Sequence, residues 1–196
     1  MRRTLRWIAI VLLAGSLGGA TGSGRGRDDA PMQDAALLLA ELRKRYDDSH
    51  FHRCAAAPRI VLNEVCSVGS DCDRDARVAD FVEVYNPSGQ TLELDCYVVI
   101  NDDALPFVPR GRLAPRAVAA WAQAELGFGV AKTGDRVRLY RMHAEGGDPR
   151  LVLIDLVELA DFRAFYRRVP DGGAWHTLSL RAAEIGVRSS FGKPNS

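Results

Sequence analysis

The sequence predicts an all-β domain, an antiparallel β-sandwich over residues 58–196, preceded by one short amphipathic α-helix at residues 34–49. Three observations carry this expectation. Short β-rich runs follow one another from Arg59 onward, turn residues separate them, and long helical periodicities are scarce there. At 196 residues the chain has length for one domain with a substantial core plus appendages. Its four cysteines, an even number, suit a domain stapled by disulfides outside the cytosol.

The first residues, "MRRTLRWIAIVLLAGSLGGATGSG", place Arg2, Arg3 and Arg6 before an apolar run from Trp7 to about Leu17, then Gly18-x-Ala20. Basic, apolar, then small residues form a signal-peptide pattern over residues 1–20, with cleavage after Ala20. The run is shorter than the roughly 20 residues of a membrane span, so no stable span is expected after cleavage. An uncleaved anchor is the alternative. The expected address is secreted, or periplasmic within the cell envelope. Without residues 1–20, 23 basic residues face 25 acidic ones, a net charge of −2. A chain this close to neutral has no global field to draw in DNA or an anionic membrane.

Residues 21–33 are rich in Gly and charge and read as a flexible linker. A helix follows, with Asp34 as N-cap and an apolar stripe of Leu38, Leu42 and Tyr46. That stripe either docks on the domain or binds a partner. The strands come next. "RIVLNEVC" is β-rich; "DFVEVYN" alternates, Val82 and Val84 on one face and Glu83 on the other, and stops at Asn86-Pro87-Ser88-Gly89. "TLELDCYVVI", "RAVAAWAQ", "DRVRLYRM" and "LVLIDLVEL" continue the series, the last after the turn Gly146-Gly147-Asp148-Pro149.

"ELGFGVAKTGDRVRLY" resembles a phosphate cradle only in composition. Ala131 precedes Lys132-Thr133, the glycines at 127 and 129 are mis-spaced, and the following run alternates like a strand. With no helix N-terminus after it, nothing there would hold a phosphate. Thr133-Gly134-Asp135 is expected to be a turn into a strand.

Several motifs occur in an order known elsewhere: "IVLNEV", "DFVEVYNPSGQTLELDCYVV", "LGFGVAKTGDRVRLY", "YRRVPDGGAW" and "FGKPN". Together they resemble the lamin tail domain family over about Ile60 to Asn195. The matching positions are Asn63-Glu64, Glu83 to Asn86, Gly127 to Asp135, Arg168 to Trp175, and Gly192 to Asn195. The resemblance implies an immunoglobulin-like sandwich that binds or tethers rather than catalyses, with Glu64 and Glu83 as framework. Cys96 stands where the family pattern usually has Gly, and the other three cysteines are further departures.

Four cysteines allow three connectivities. The reading favours Cys66–Cys72 as a loop staple and Cys54–Cys96 as a tie between the start of the domain and a strand. Zinc is disfavoured: 11, 5 and 23 residues separate successive cysteines, giving no Cys-x-x-Cys pair and no histidine at finger spacing. Asp71, Asp73 and Asp75 alternate as calcium loops begin, but Ala76 and Val82 replace the turn Gly and bidentate Glu. His50 and His52 fall in the stretch expected to follow the helix, and His143 and His176 flank separate turns.

No G-x-S-x-G elbow occurs, and oxidised cysteines would leave no thiolate. Glu64 and Glu83 could meet on adjacent strands as an acid pair. Arg136 and Arg138 form a basic edge and Arg110, Arg112 and Arg116 a second cluster. Arg136, Arg138 and Trp175 are the candidate ligand surface. No catalytic residue, metal or cofactor is expected. The expected role is a non-catalytic extracytoplasmic binding or tethering module whose partner is a protein or cell-envelope component. Two alternatives stand: an accessory of a secreted hydrolase or nuclease with a weak calcium loop, or an Arg-surface binder of nucleic acid or anionic glycan.

Overall fold

The computed structural model describes residues 30–67, 80–102, 106–130, 134–159, 164–179 and 191–193. The expected signal peptide, linker residues 21–29, Cys72 and the acidic loop at Asp71–Asp75 lie outside them.

Two helices stand where one was expected. Helix α1 (Ala30–Leu42) takes in the last linker residues, and α2 (Asp48–Ala55) follows a turn. The break has a local cause. Asp47 takes an extended conformation, and its carboxylate accepts the His50 N–H at 3.0 Å, which caps a new helix instead of prolonging the old one. His50 and His52 therefore lie on α2, not in a linker. Leu38 and Leu42 are buried and Tyr46 is partly buried, so the apolar stripe docks on the domain. Burying Leu42 and Phe51 completely contributes about 2 kcal/mol each.

The rest is antiparallel β-structure. Strands β1 (Val61–Cys66), β2 (Phe81–Tyr85), β6 (Val118–Ala122), β9 (Ala164–Val169) and β10 (Ala174–Ser179) form a sheet in the order β10-β9-β1-β2-β6. Strands β4 (Tyr97–Ile100), β7 (Asp135–Glu145) and β8 (Asp148–Leu159) form a second, ordered β4-β7-β8. The short strands β3 (Leu92–Glu93) and β5 (Arg112–Leu113) pair separately. One core joins Leu62, Val82 and Val84 to Val98, Val137, Leu139 and Met142 and to Leu38, Leu42 and Phe51.

β7 departs from simple alternation. Val137 and Leu139 are buried as expected, but so are Arg138, Tyr140, Met142 and Ala144 on the opposite side, and α2 packs against this strand. A sheet face covered by a helix pair is not a water face, so the sequence pattern under-reports its burial. The β9–β10 hairpin, which turns at Pro170-Asp171-Gly172, is not among the expected strands, because basic residues interrupt the alternation of β9. In the glycine stretch, α3 (Gln123–Leu126) ends on Gly127 at φ 77°, and Gly134 at φ 72° precedes β7. Left-handed positions of this kind suit glycine. Lys132 and Thr133 lie outside the described residues. Among the described residues, no helix is long and apolar enough to cross a membrane.

Candidate functional site

The five-stranded sheet contains a buried polar cluster that includes Glu83, which the alternation of its strand sets opposite Val82 and Val84. Asn63, Glu64 and Glu83 are completely buried. The register explains how they meet. Leu62 pairs with Val84 and Glu64 with Glu83, which leaves Asn63 as the extra residue of a β-bulge. Two β1 residues thus oppose one β2 residue, and the bulge re-aims the Asn63 side chain. Glu64 also lies opposite Arg167 of β9 in register.

Asn63 is the hub. Its Nδ2 donates to Glu83 Oε1 at 2.8 Å and to Asp171 Oδ1 at 2.9 Å, while its Oδ1 accepts the Gly172 N–H at 3.0 Å. Glu83 Oε2 accepts the Gly192 N–H at 2.8 Å, and Phe191 stands edge-on to Phe81 with ring centres 5.0 Å apart. One cluster therefore ties together β1, β2, the β9–β10 turn and the segment near the C-terminus. Burial pushes the Glu83 carboxyl up to about 8. The Asn63 hydrogen bond opposes that rise, the Glu64 charge adds to it, the Gly192 N–H opposes it and Asp171 adds to it. Glu64 and Glu83 do meet, as the strand reading allowed. Both are completely buried where they meet.

A second polar tie spans the two sheets. Arg168 of β9 donates from Nη2 to both carboxylate oxygens of Asp155 on β8, each at 3.0 Å. Its Nε donates to the Leu62 carbonyl at 2.8 Å and its Nη1 to that of Gly173 at 2.7 Å. Asp155 also accepts the Leu62 N–H at 2.9 Å. The guanidinium lies 4.5 Å from the centre of the Trp175 ring. Trp175 is partly buried against the core beneath that cation, so its stacking face toward Arg168 is already occupied.

The remaining candidates fall apart spatially. Arg138 is 3% exposed, which removes it from the expected basic edge. It shares the Asp102 carboxylate with Arg136, whose Nε lies 3.2 Å from it. Both cations pair with the exposed acid Asp102 rather than projecting free as a recognition surface. The other basic cluster, Arg110, Arg112 and Arg116, is exposed, and Arg112 pairs with Glu93 at 3.0 Å. Trp121 is half-buried and meets Phe107 edge-on at 5.3 Å.

Cys54 and Cys96 form a disulfide, as expected, with Cα atoms 5.1 Å apart. Cys66 is also disulfide-bonded, and its expected partner Cys72 lies outside the described residues. Among the described residues, no cysteine is free. The cluster that the sequence reading missed is His50, Cys54 and Cys96, whose ligand atoms lie within 4.8 Å of one another. The missed signal was His50-x-x-x-Cys54: on a continuous helix these residues share a face, but not in a linker.

No protein-family model matches the chain, and no solved structure matches it.

Proposed function

We propose that this chain is an exported, non-catalytic binding or tethering module built on an immunoglobulin-like, lamin-tail-like sandwich. The observation that carries the reading is the complete burial of Asn63, Glu64 and Glu83. These are the motif residues best suited to acid–base work, and a substrate has no path to them. The hydrogen bonds of Asn63 and Glu83 go to Asp171, to the Gly172 and Gly192 amides and to one another, which is framework chemistry. The ordered motifs from Asn63-Glu64 to Gly192 support the lamin-tail resemblance. The Cys54–Cys96 bridge, with the basic-apolar-small N-terminus, supports export.

The experiment uses the purified chain without its signal segment. Expected results are no turnover of ester, phosphodiester or glycoside substrates above that of Glu83→Gln, and saturable capture of an envelope component by immobilised chain. Turnover abolished by Glu83→Gln would overturn the reading. Calcium should leave the melting midpoint unchanged. A clear rise would favour the hydrolase-accessory alternative.

A further inference from the structure

We infer that His50, Cys54 and Cys96 form a metal-or-disulfide site, a Cys2His set for zinc or a similarly thiophilic cation whenever the two cysteines are thiols. Three independent features meet there. The imidazole and both sulfurs lie within 4.8 Å of one another. His50 and Cys54 are four residues apart on α2, so a rigid helix presents both to the same point. Cys96 comes from a different part of the chain, the 3-10 turn Leu94–Cys96 that leads into β4, and closes the set from the other side.

The surroundings also suit a cation. All three residues are buried, which excludes competing water. Asp95, adjacent to Cys96, carries a carboxylate Oδ1 that is buried and makes no hydrogen bond. Its Oδ2 is held by Arg53 at 2.9 Å, and its backbone carbonyl lies 3.0 Å from His50 Nε2. The side chains of His50, Cys54 and Cys96 supply three of the four ligands, drawn from sulfur, nitrogen and oxygen, that zinc prefers. Binding exchanges the contact between His50 Nε2 and the Asp95 carbonyl for a coordinate bond. Arg53, more than half exposed and 2.8 Å from His50 Nδ1, can turn toward water to admit the proton on that nitrogen.

The two forms interconvert by ordinary thiol chemistry. Reduction of the S–S bond takes two electrons and two protons from a dithiol, which itself becomes a disulfide. The cation then displaces the thiol protons and holds both thiolates. In the reverse direction a disulfide oxidant removes two electrons from the metal-free thiols. Metal occupancy therefore opposes formation of the staple, and the staple excludes the metal.

The test uses the full chain, reduced with a phosphine under anaerobic conditions and titrated with Co(II), then Zn(II). One Co(II) per chain should appear with thiolate-to-cobalt charge-transfer and tetrahedral d–d bands, and Zn(II) should displace it. The oxidised chain should show neither band. His50→Gln retains a donor toward the Asp95 carbonyl, so it should keep the β-type circular dichroism. Its zinc affinity should fall about tenfold or more. Cys54→Ser with Cys96→Ser should abolish the charge-transfer band. The proposal is overturned by a cobalt spectrum lacking thiolate bands or by a band that survives that double substitution. It also fails if His50→Gln binds as tightly as the parent chain, or if the reduced chain unfolds and zinc does not restore it.

Discussion

Glu83 shows how one residue sets a pH window. Its carboxyl is held near 8, against an ordinary 4.5, so the folded chain keeps a proton that the unfolded chain releases. Below about pH 4.5 both states are protonated and Glu83 costs nothing. As pH rises through 4.5 toward 8, only the unfolded state gives up the proton freely, so stability falls by an amount on the order of a few kcal/mol and then levels off. Urea midpoints measured from pH 4.5 to 9 should follow that decline. Glu83→Gln should flatten it. The same substitution should cost about 1–3 kcal/mol at pH 5, because both Glu83 oxygens accept hydrogen bonds and an amide NH2 would face a donor. Arg168 offers a second test. Both it and Asp155 are largely buried, so Arg168→Ala should lower stability by about 3–5 kcal/mol, chiefly through the acid left unpaired. Asp155→Ala should couple to it in a double-mutant cycle; simple additivity would deny the tie between sheets.

At the scale of elements, the β9–β10 turn is held by shape as much as by polarity. Gly172 adopts φ 72°, and a Cβ there would stand 3.0 Å from the Tyr85 ring. Gly172→Ala should therefore destabilise by about 1–3 kcal/mol, read from thermal melts, with loss of the Asn63 Oδ1 contact. Helix α2 exists for a comparably local reason. Without the Asp47 side chain the helix loses its cap, and Asp47→Ala should cost about 1 kcal/mol. An unchanged midpoint would mean that packing of Phe51 against the core fixes the helix alone.

Across the whole molecule, the Cys54–Cys96 bridge closes a loop of 42 residues between α2 and β4. By the chain-entropy estimate such a closure contributes about 4 kcal/mol. Cys54→Ser with Cys96→Ser should shift the unfolding midpoint accordingly, with a reduced helix signal if α2 undocks. Arg141 and Tyr97 reinforce the same junction: Arg141 Nη1 donates to the Ala57 carbonyl at 2.6 Å and the Tyr97 hydroxyl donates to that of Pro58. Helices and sheets are therefore joined by a covalent tie, two polar ties and the shared core.

Local chemistry was readable directly from the residues. β-rich and alternating runs located β1, β2, β4, β6, β7 and β8, glycine and proline marked their turns, and the favoured one of three cysteine connectivities contained the Cys54–Cys96 pair. What the residues could not reveal depends on neighbours distant in sequence. Glu83 reads as a water-facing residue until the segment around Gly192 covers it, and Arg138 reads as an exposed cation although the fold buries it to 3% exposure beside its partner Asp102. Asn63 reads as an ordinary strand position until a bulge turns it into a hub. The physical reason is common to all three: side-chain period reports which face a residue occupies, whereas burial depends on what the rest of the chain lays over that face.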